Sequence, residues 1–234
     1  MIRLNQISKV FKKDRKSSFV AVDQVSFLLK KNECLGIAGN SGCGKSTLAR
    51  IMAGLIKPTS GSLEYEDICV NQVQIIFQHP ESALNPKLTI QASLMEPLRI
   101  HKKYSDLEGR QLMREYLSIL GLSEGLLKRY PHEISGGEAQ RICICRALLM
   151  RPKVLILDEA TSMLDVSTQA NILTILNELR KKMDIAMVMI SHDLELLYYQ
   201  CDQILLMSDG AIVDGGLESI LGKEMMASFE YFYG

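Results

Sequence analysis

Gly39-Asn40-Ser41-Gly42-Cys43-Gly44-Lys45-Ser46-Thr47 is the stretch on which the fold of this chain turns. It fits the spacing G-x-x-x-x-G-K-[ST] and adds a third glycine at Gly42. Upstream, Cys34-Leu35-Gly36-Ile37-Ala38 is a short apolar run that ends in glycines, the pattern of a buried strand. Downstream, a helical pattern begins at Ser46 and continues through Leu48-Ala49-Arg50-Ile51-Met52. In a strand, loop and helix so ordered, backbone N–H groups close around phosphate oxygens while the helix points its positive end at them. Lys45 then reaches the β and γ phosphates of a nucleotide, and the Ser46 hydroxyl can ligate magnesium.

Such a site needs an acidic residue at the tip of a neighbouring strand. Val154-Leu155-Ile156-Leu157-Asp158-Glu159 supplies one. Asp158 can hold magnesium through water, and Glu159 can polarise an attacking water. An apolar run ending in Asp-Glu is weak on its own, because strand ends are often acidic and solvated. Beside the phosphate loop it becomes specific.

Shortly before that strand stands Ile134-Ser135-Gly136-Gly137-Glu138-Ala139-Gln140-Arg141. Ser135 with Glu138 three residues on makes a capping box that opens a helix. Two glycines in the first turn leave its N–H groups bare, which makes a second anion site. The plainer reading is a well-capped helix.

Outward from these motifs, buried strands and helices alternate. Further strand candidates are Val73 to Phe77, Ile185 to Ile190 and Gln203 to Met207; helix candidates are Gln111 to Leu120, Glu138 to Leu149 and Ser167 to Lys182. The spacing predicts an α/β fold with a mostly parallel core sheet. Ile2 to Phe11 and Ala21 to Leu29 instead alternate apolar with polar, as in a half-exposed antiparallel sheet, with Val22, Val25, Phe27 and Leu29 expected in the core. Ser208-Asp209-Gly210 reads as a hairpin turn into Ile212-Val213. Residues 84–151 carry helix patterns and no convincing strand. They are expected to form a helical subdomain inserted into a single domain spanning 1–234.

The bulk numbers narrow the function classes. With 27 basic and 27 acidic side chains among 234 residues the formal net charge is zero, so no basic footprint points to nucleic acid. No apolar stretch approaches the roughly 18 residues of a membrane span. The expected location is therefore cytoplasmic, with any membrane role reached through a partner. Six cysteines without a C-x-x-C pair read as thiols in a reducing compartment. Cys43, beside Lys45 at a helix start, is expected to be a reactive thiol that nucleotide shields; a sulfur packed under the loop is the alternative.

The motif set resembles the ATP-binding cassette (ABC) ATPases, whose signature usually reads Leu-Ser-Gly-Gly-Gln. The resemblance runs along almost the whole chain. It implies that Phe11 stacks on adenine and that Gly39 to Thr47 hold ATP. It implies that Gln78, after Phe77, is the glutamine that senses and helps ligate magnesium, and that Ser162-Met163-Leu164-Asp165 form the D-loop, with Asp165 near the nucleotide. His192, in Ser191-His192-Asp193, matches the γ-phosphate sensor, and Glu159 the catalytic base. Ser135, Gly136, Gly137 and Glu138 would cover the nucleotide of a second ABC ATPase subunit in a head-to-tail dimer. One departure is Glu138, where glutamine is usual; a carboxylate there is expected to turn back and cap Ser135.

After Gln78, His79-Pro80, Ser82, Leu84-Asn85-Pro86 and Glu96-Pro97-Leu98 resemble the peptide/nickel importer subfamily, with His79 in place of its aspartate. That implies two membrane permease subunits, an extracytoplasmic binding protein and attachment to the cytoplasmic face of the membrane. The chain resembles the shorter of the two ATPases such importers pair. Nickel, a metal chelate and short peptides remain open as cargo, with a lean towards metal. The competing class is an ABC ATPase acting in DNA repair or translation. It predicts a coiled coil or zinc insertion before the signature, and the span from Gln78 to Ser135 is too short for one. A module that binds nucleotide without turnover would lack Glu159 or His192, and both are present.

Overall fold

Residues 1–12, 17–102, 104–161 and 164–213 are described by a computed structural model of the chain. In order they form β1 (Ile2–Lys12), β2 (Ser18–Leu29), β3 (Cys34–Ala38), α1 (Lys45–Met52), β4 (Ser60–Tyr65), β5 (Val73–Ile76), α2 (Pro80–Ala83), α3 (Ile90–Ile100), α4 (Asp106–Ile119), α5 (Gly136–Leu149), β6 (Val154–Asp158), α6 (Val166–Met183), β7 (Ala186–Ile190), α7 (Leu194–Gln200), β8 (Gln203–Ser208) and β9 (Ala211–Ile212). The backbone divides into two compact units. One holds Met1, Lys30–Glu33 and Asp67–Val188; the other holds Ile2–Leu29, Cys34–Glu66 and the described residues from Met189.

In the second unit, β1 lies between β2 and β4 in an antiparallel sheet. The alternation predicted for β2 is broken. Val22 and Val25 are both buried although three residues apart, and Phe27 is only half-buried. The register slips along the β1–β2 ladder, and Gln24 takes a left-handed φ of 47°. An extra residue of this kind flips the inward face, which a strict period of two cannot foresee. β4 escapes a sequence search because its residues are exposed or half-buried and show no apolar alternation.

The same unit carries β3, buried at all five residues, parallel to β8 with Leu35 opposite Gln203 and Ala38 opposite Leu206. β8 turns through Asp209-Gly210 into antiparallel β9, as the hairpin signal predicts. α1 buries Leu48, Ala49, Ile51 and Met52. Each large apolar side chain so placed contributes about 1.5–3 kcal/mol relative to exposure.

In the first unit β5 runs parallel to β6, with Val73 opposite Val154 and Ile76 opposite Leu157. Both are short, and every residue of β6 is buried. Between them the described residues hold helices and no strand. α4 opens on a Ser105–Glu108 capping box and α5 on Ser135–Glu138. α3 accommodates Pro97 in its interior, the residue that hides this helix from a pattern search. α6 turns Ile172, Leu173, Leu176 and Leu179 inward, while Ile175 is only half-buried. Among the described residues no helix is long and apolar enough to cross a membrane.

Candidate functional site

The phosphate loop is shaped by glycines of two kinds. Gly39 and Gly44 are buttressed: a Cβ on Gly39 would come within 2.2 Å of the Met207 carbonyl, and one on Gly44 within 2.0 Å of the Ala21 carbonyl. Both have left-handed φ values, 152° and 108°. Gly42 differs, because a Cβ there would meet nothing within 4 Å. Its backbone is bare to an incoming group, and the loop around it is exposed at Asn40 and Ser41.

Lys45 is only 5% exposed, and its ammonium donates to the carbonyls of Gly39 at 2.7 Å and Asn40 at 2.9 Å. A buried cation pinned by two loop carbonyls, with open space at Gly42, fits an anion such as a polyphosphate. Ser46 stands exposed in the first turn of α1. Its hydroxyl is an oxygen donor of the kind that suits a hard cation taking its other ligands from phosphate and water. Among the described residues no group of three or more His, Cys, Asp or Glu forms a self-sufficient metal cage.

A buttress for the loop was missed in the sequence. The Gly210 N–H donates to the Cys43 carbonyl at 3.0 Å, and the Gly210 carbonyl accepts from Asp23 N–H at 2.8 Å. The Asp209-Gly210 turn thus ties β2 to the phosphate loop. The turn itself was legible, but its contact with Cys43 has no local signal. Cys43 is 9% exposed, and a Cβ on Gly39 would lie 2.8 Å from its sulfur. The sulfur is packed under the loop, which favours the alternative to a readily alkylated thiol.

The second unit also holds Phe11 and His192. Phe11 is 42% exposed on β1, opposite Phe19 at 55%, with the Lys9 ammonium 5.2 Å from its ring centre. An aromatic face so exposed is available for stacking and adds little to the core. His192 follows β7. The Ser191 N–H donates to the Ile37 carbonyl at 3.3 Å, which sets the histidine's backbone beside the strand that feeds the loop. Asp193 then caps α7 by accepting from Leu196 N–H at 3.0 Å.

The first unit holds Gln78, the Ser135 turn, Asp158, Glu159 and Asp165. Gln78 is half-buried in the turn after β5. The Ser135 hydroxyl accepts from Glu138 N–H at 3.2 Å, while Glu138 Oε2 accepts from the Ser135 N–H at 2.8 Å and from its hydroxyl at 2.9 Å. The carboxylate does turn back onto the cap. Those hydrogen bonds, the backbone one first, hold it below the ordinary carboxylate range. A Cβ on Gly136 would meet nothing, and one on Gly137 only Leu164 Cδ2 at 3.4 Å. The signature turn is therefore open at Gly136 and lies beside Leu164, next to Asp165.

Asp165 caps α6. Hydrogen bonds from the Ser167 hydroxyl at 2.6 Å and the Thr168 N–H at 2.9 Å hold its carboxyl well below the usual range. Ser162 and Met163 of the predicted D-loop lie outside the described residues. Asp158, 6% exposed, ends β6. Glu159 follows in the left-handed region at φ 50°, which a non-glycine residue occupies only at a cost of about 1–3 kcal/mol. That backbone turns the side chain out of the strand's alternation.

The ABC transporter family profile matches residues 22–162. The oligopeptide transport ATP-binding protein OppF of Escherichia coli (strain K12) is 41% identical over 210 residues, 84% of this chain and 63% of that protein. A putative oligopeptide transport ATP-binding protein of Bacillus subtilis (strain 168) is 37% identical over 227 residues, 92% of this chain and 69% of that protein. Among solved structures, a dimeric ATP-binding cassette in a post-hydrolysis state with ADP and phosphate superposes with a TM-score of 0.82 at 28% identity. It covers 91% of this chain and 96% of its own. The chain thus spans about two thirds of the length of the curated relatives it matches. The α/β architecture, the motif order and these likenesses agree: the chain belongs to the ABC transporter family.

Proposed function

We propose that this chain is the ATP-hydrolysing subunit of an importer, attached peripherally to the cytoplasmic face of a membrane through permease subunits. The observation that carries the reading is the loop at Lys45, a buried ammonium beside a glycine whose missing side chain leaves room for phosphate. Lys45 and the N–H groups of Gly39 to Thr47 hold the phosphates, and Phe11 stacks on the base. Ser46, Gln78 and Asp158 hold magnesium, which when bound neutralises phosphate charge and polarises the bond to be broken. Glu159 takes the proton of the attacking water, and His192 donates to the γ-phosphate.

Ser135, Gly136 and Gly137 present a helix start to the nucleotide of a second cassette, with Asp165 beside the contact. Glu138 supports that turn by capping it. A dimeric neighbour of the same fold supports the sandwich. Residues 1–234 are read as one cassette with a helical subdomain at about 84–151.

For cargo we favour short peptides. Relatives named for oligopeptide, dipeptide and glutathione import support this, and they lend no support to the lean towards nickel or a metal chelate. Neither the matched family nor these relatives favour DNA repair or translation.

Two substitutions test the reading in the assembled transporter. Glu159→Gln is expected to retain ATP binding while steady turnover is abolished, because the base is lost and Lys45 stays. Ser135→Arg is expected to stop turnover while the isolated chain still binds ATP. Turnover near wild type in Glu159→Gln would remove Glu159 as the base, and full activity in Ser135→Arg would remove the sandwich.

A further inference from the structure

Cys34 opens β3 with its side chain fully buried, and Cys201 follows α7 half-buried. Their sulfurs lie 3.7 Å apart, the Cys34 thiol donating to Cys201 Sγ. Alternation along a strand puts residues 34 and 36 on one face. A Cβ on Gly36 would come within 3.1 Å of Cys201 Sγ and 3.4 Å of its Cβ. The missing side chain at Gly36 therefore makes the seat in which Cys201 rests beside Cys34.

The backbone is pinned on both sides of the pair. Cys34 N–H donates to Asp202 Oδ2 at 2.7 Å, and Asp202 N–H donates to the Cys34 carbonyl at 2.8 Å. Two thiols in contact on so fixed a frame need only small side-chain rotations to reach the bonded separation of about 2.05 Å. Their exposure is also unequal. Cys201 is half-buried and is the one of the two that an oxidant can approach from solvent, while Cys34 is fully buried.

We propose that Cys34 and Cys201 form a reversible redox modification site, closing to a disulfide when the protein meets a peroxide. The Cys201 sulfur attacks one oxygen of hydrogen peroxide; the O–O bond breaks, giving a sulfenic acid and water. The Cys34 sulfur then attacks the Cys201 sulfur, the S–S bond forms, and the S–O bond breaks. The departing hydroxide takes the Cys34 proton as a second water. Two thiols have lost two electrons and two protons, and one peroxide has become two waters. A small thiol attacking the outer sulfur, Cys201, reopens the bridge and releases Cys34. Disulfides that form where thiols are normally kept reduced are usually of this transient kind.

The test uses the full chain, purified reduced and treated with hydrogen peroxide. Remaining thiols are then blocked with N-ethylmaleimide, and the protein is digested without reductant for mass spectrometry. The exposed Cys69 reports that oxidant was delivered. The expected result is a peptide linking Cys34 to Cys201 and, beyond any loss at Cys69, the loss of two further thiols of the six titrated after unfolding. Dithiothreitol should restore both thiols. Cys201→Ser should abolish the link and leave Cys34 unoxidised, while Cys43→Ser should leave the link in place. Oxidation of Cys69 with no link between Cys34 and Cys201 in the wild-type chain overturns the proposal. So does a link that forms only between two chains.

Discussion

Glu138 Oε2 accepts from both the N–H and the hydroxyl of Ser135, at 2.8 and 2.9 Å. The carboxylate that stands where the family's usual signature has glutamine is thereby engaged in holding the turn. Glutamine can accept the same bond through its amide oxygen, so Glu138→Gln should leave ATP turnover within a few-fold of wild type. Ser135→Ala, which removes the cap oxygen, should cost about 1 kcal/mol of stability, or roughly 2–4 °C in Tm. Thermal melts of the two variants separate these effects.

Acid should loosen the caps in a definite window. The folded-state pKa values of Glu138 and Asp165 are lowered from their ordinary 4.5 and 3.8. Their contributions are therefore complete above those values and are lost as pH falls through the lower folded ones. Tm should decline below about pH 4.5, and Glu138→Gln should shallow that decline. Melting curves of wild type and variant between neutral pH and the acid limb provide the check; parallel curves would show that the carboxylate's charge does not matter to the cap.

The two kinds of glycine predict opposite failures. Gly44→Ala drives a Cβ to 2.0 Å from the Ala21 carbonyl at a φ of 108°, so soluble folded protein should be lost or strongly destabilised. Gly136→Ala meets no neighbour, and alanine in a helix is up to about 1 kcal/mol more favourable than glycine. Its Tm should hold or rise, while turnover in the assembled transporter falls at least about tenfold. A fully active Gly136→Ala would show that this open face serves no nucleotide.

Phe11→Ala should barely move Tm, because the ring is already 42% exposed. Nucleotide affinity should fall by about 1–3 kcal/mol, by analogy with base–aromatic stacking, with little preference among bases. Titration with ATP and GTP measures both. An unchanged Kd would relieve Phe11 of the stacking role.

Maleimide labelling should begin at exposed Cys69, with Cys43 slow because its sulfur is packed against the loop backbone. Cys145 should be the least reactive, since burial pushes its thiol up to about 12. Peptide mapping over a time course checks the order. Rapid labelling of Cys43 that ATP suppresses would restore the reading taken from charge alone.

The packing of that sulfur is illegible in the sequence for an instructive reason. Lys45 and the helix start are visible in the residue order, whereas the fold of Gly39 over the sulfur is a close approach of residues set by the loop's φ values. The same division holds elsewhere. The loop, the tip of β6 and the Ser135 turn were legible because each couples a local pattern to a local conformation. β4 was invisible because its partner in β1, more than fifty residues away, and not its own alternation, makes it a strand. The shift of Val22, Val25 and Phe27 follows from a slip in pairing that no residue type announces.

The left-handed backbone at Glu159 sets the interests of folding and turnover against each other. Glycine occupies that region freely, so Glu159→Gly should relieve strain and raise stability by something on the order of 1 kcal/mol, offset in part by the freer unfolded chain. It would also delete the carboxylate. A selection that rewards only heat resistance would drift towards silence at this position.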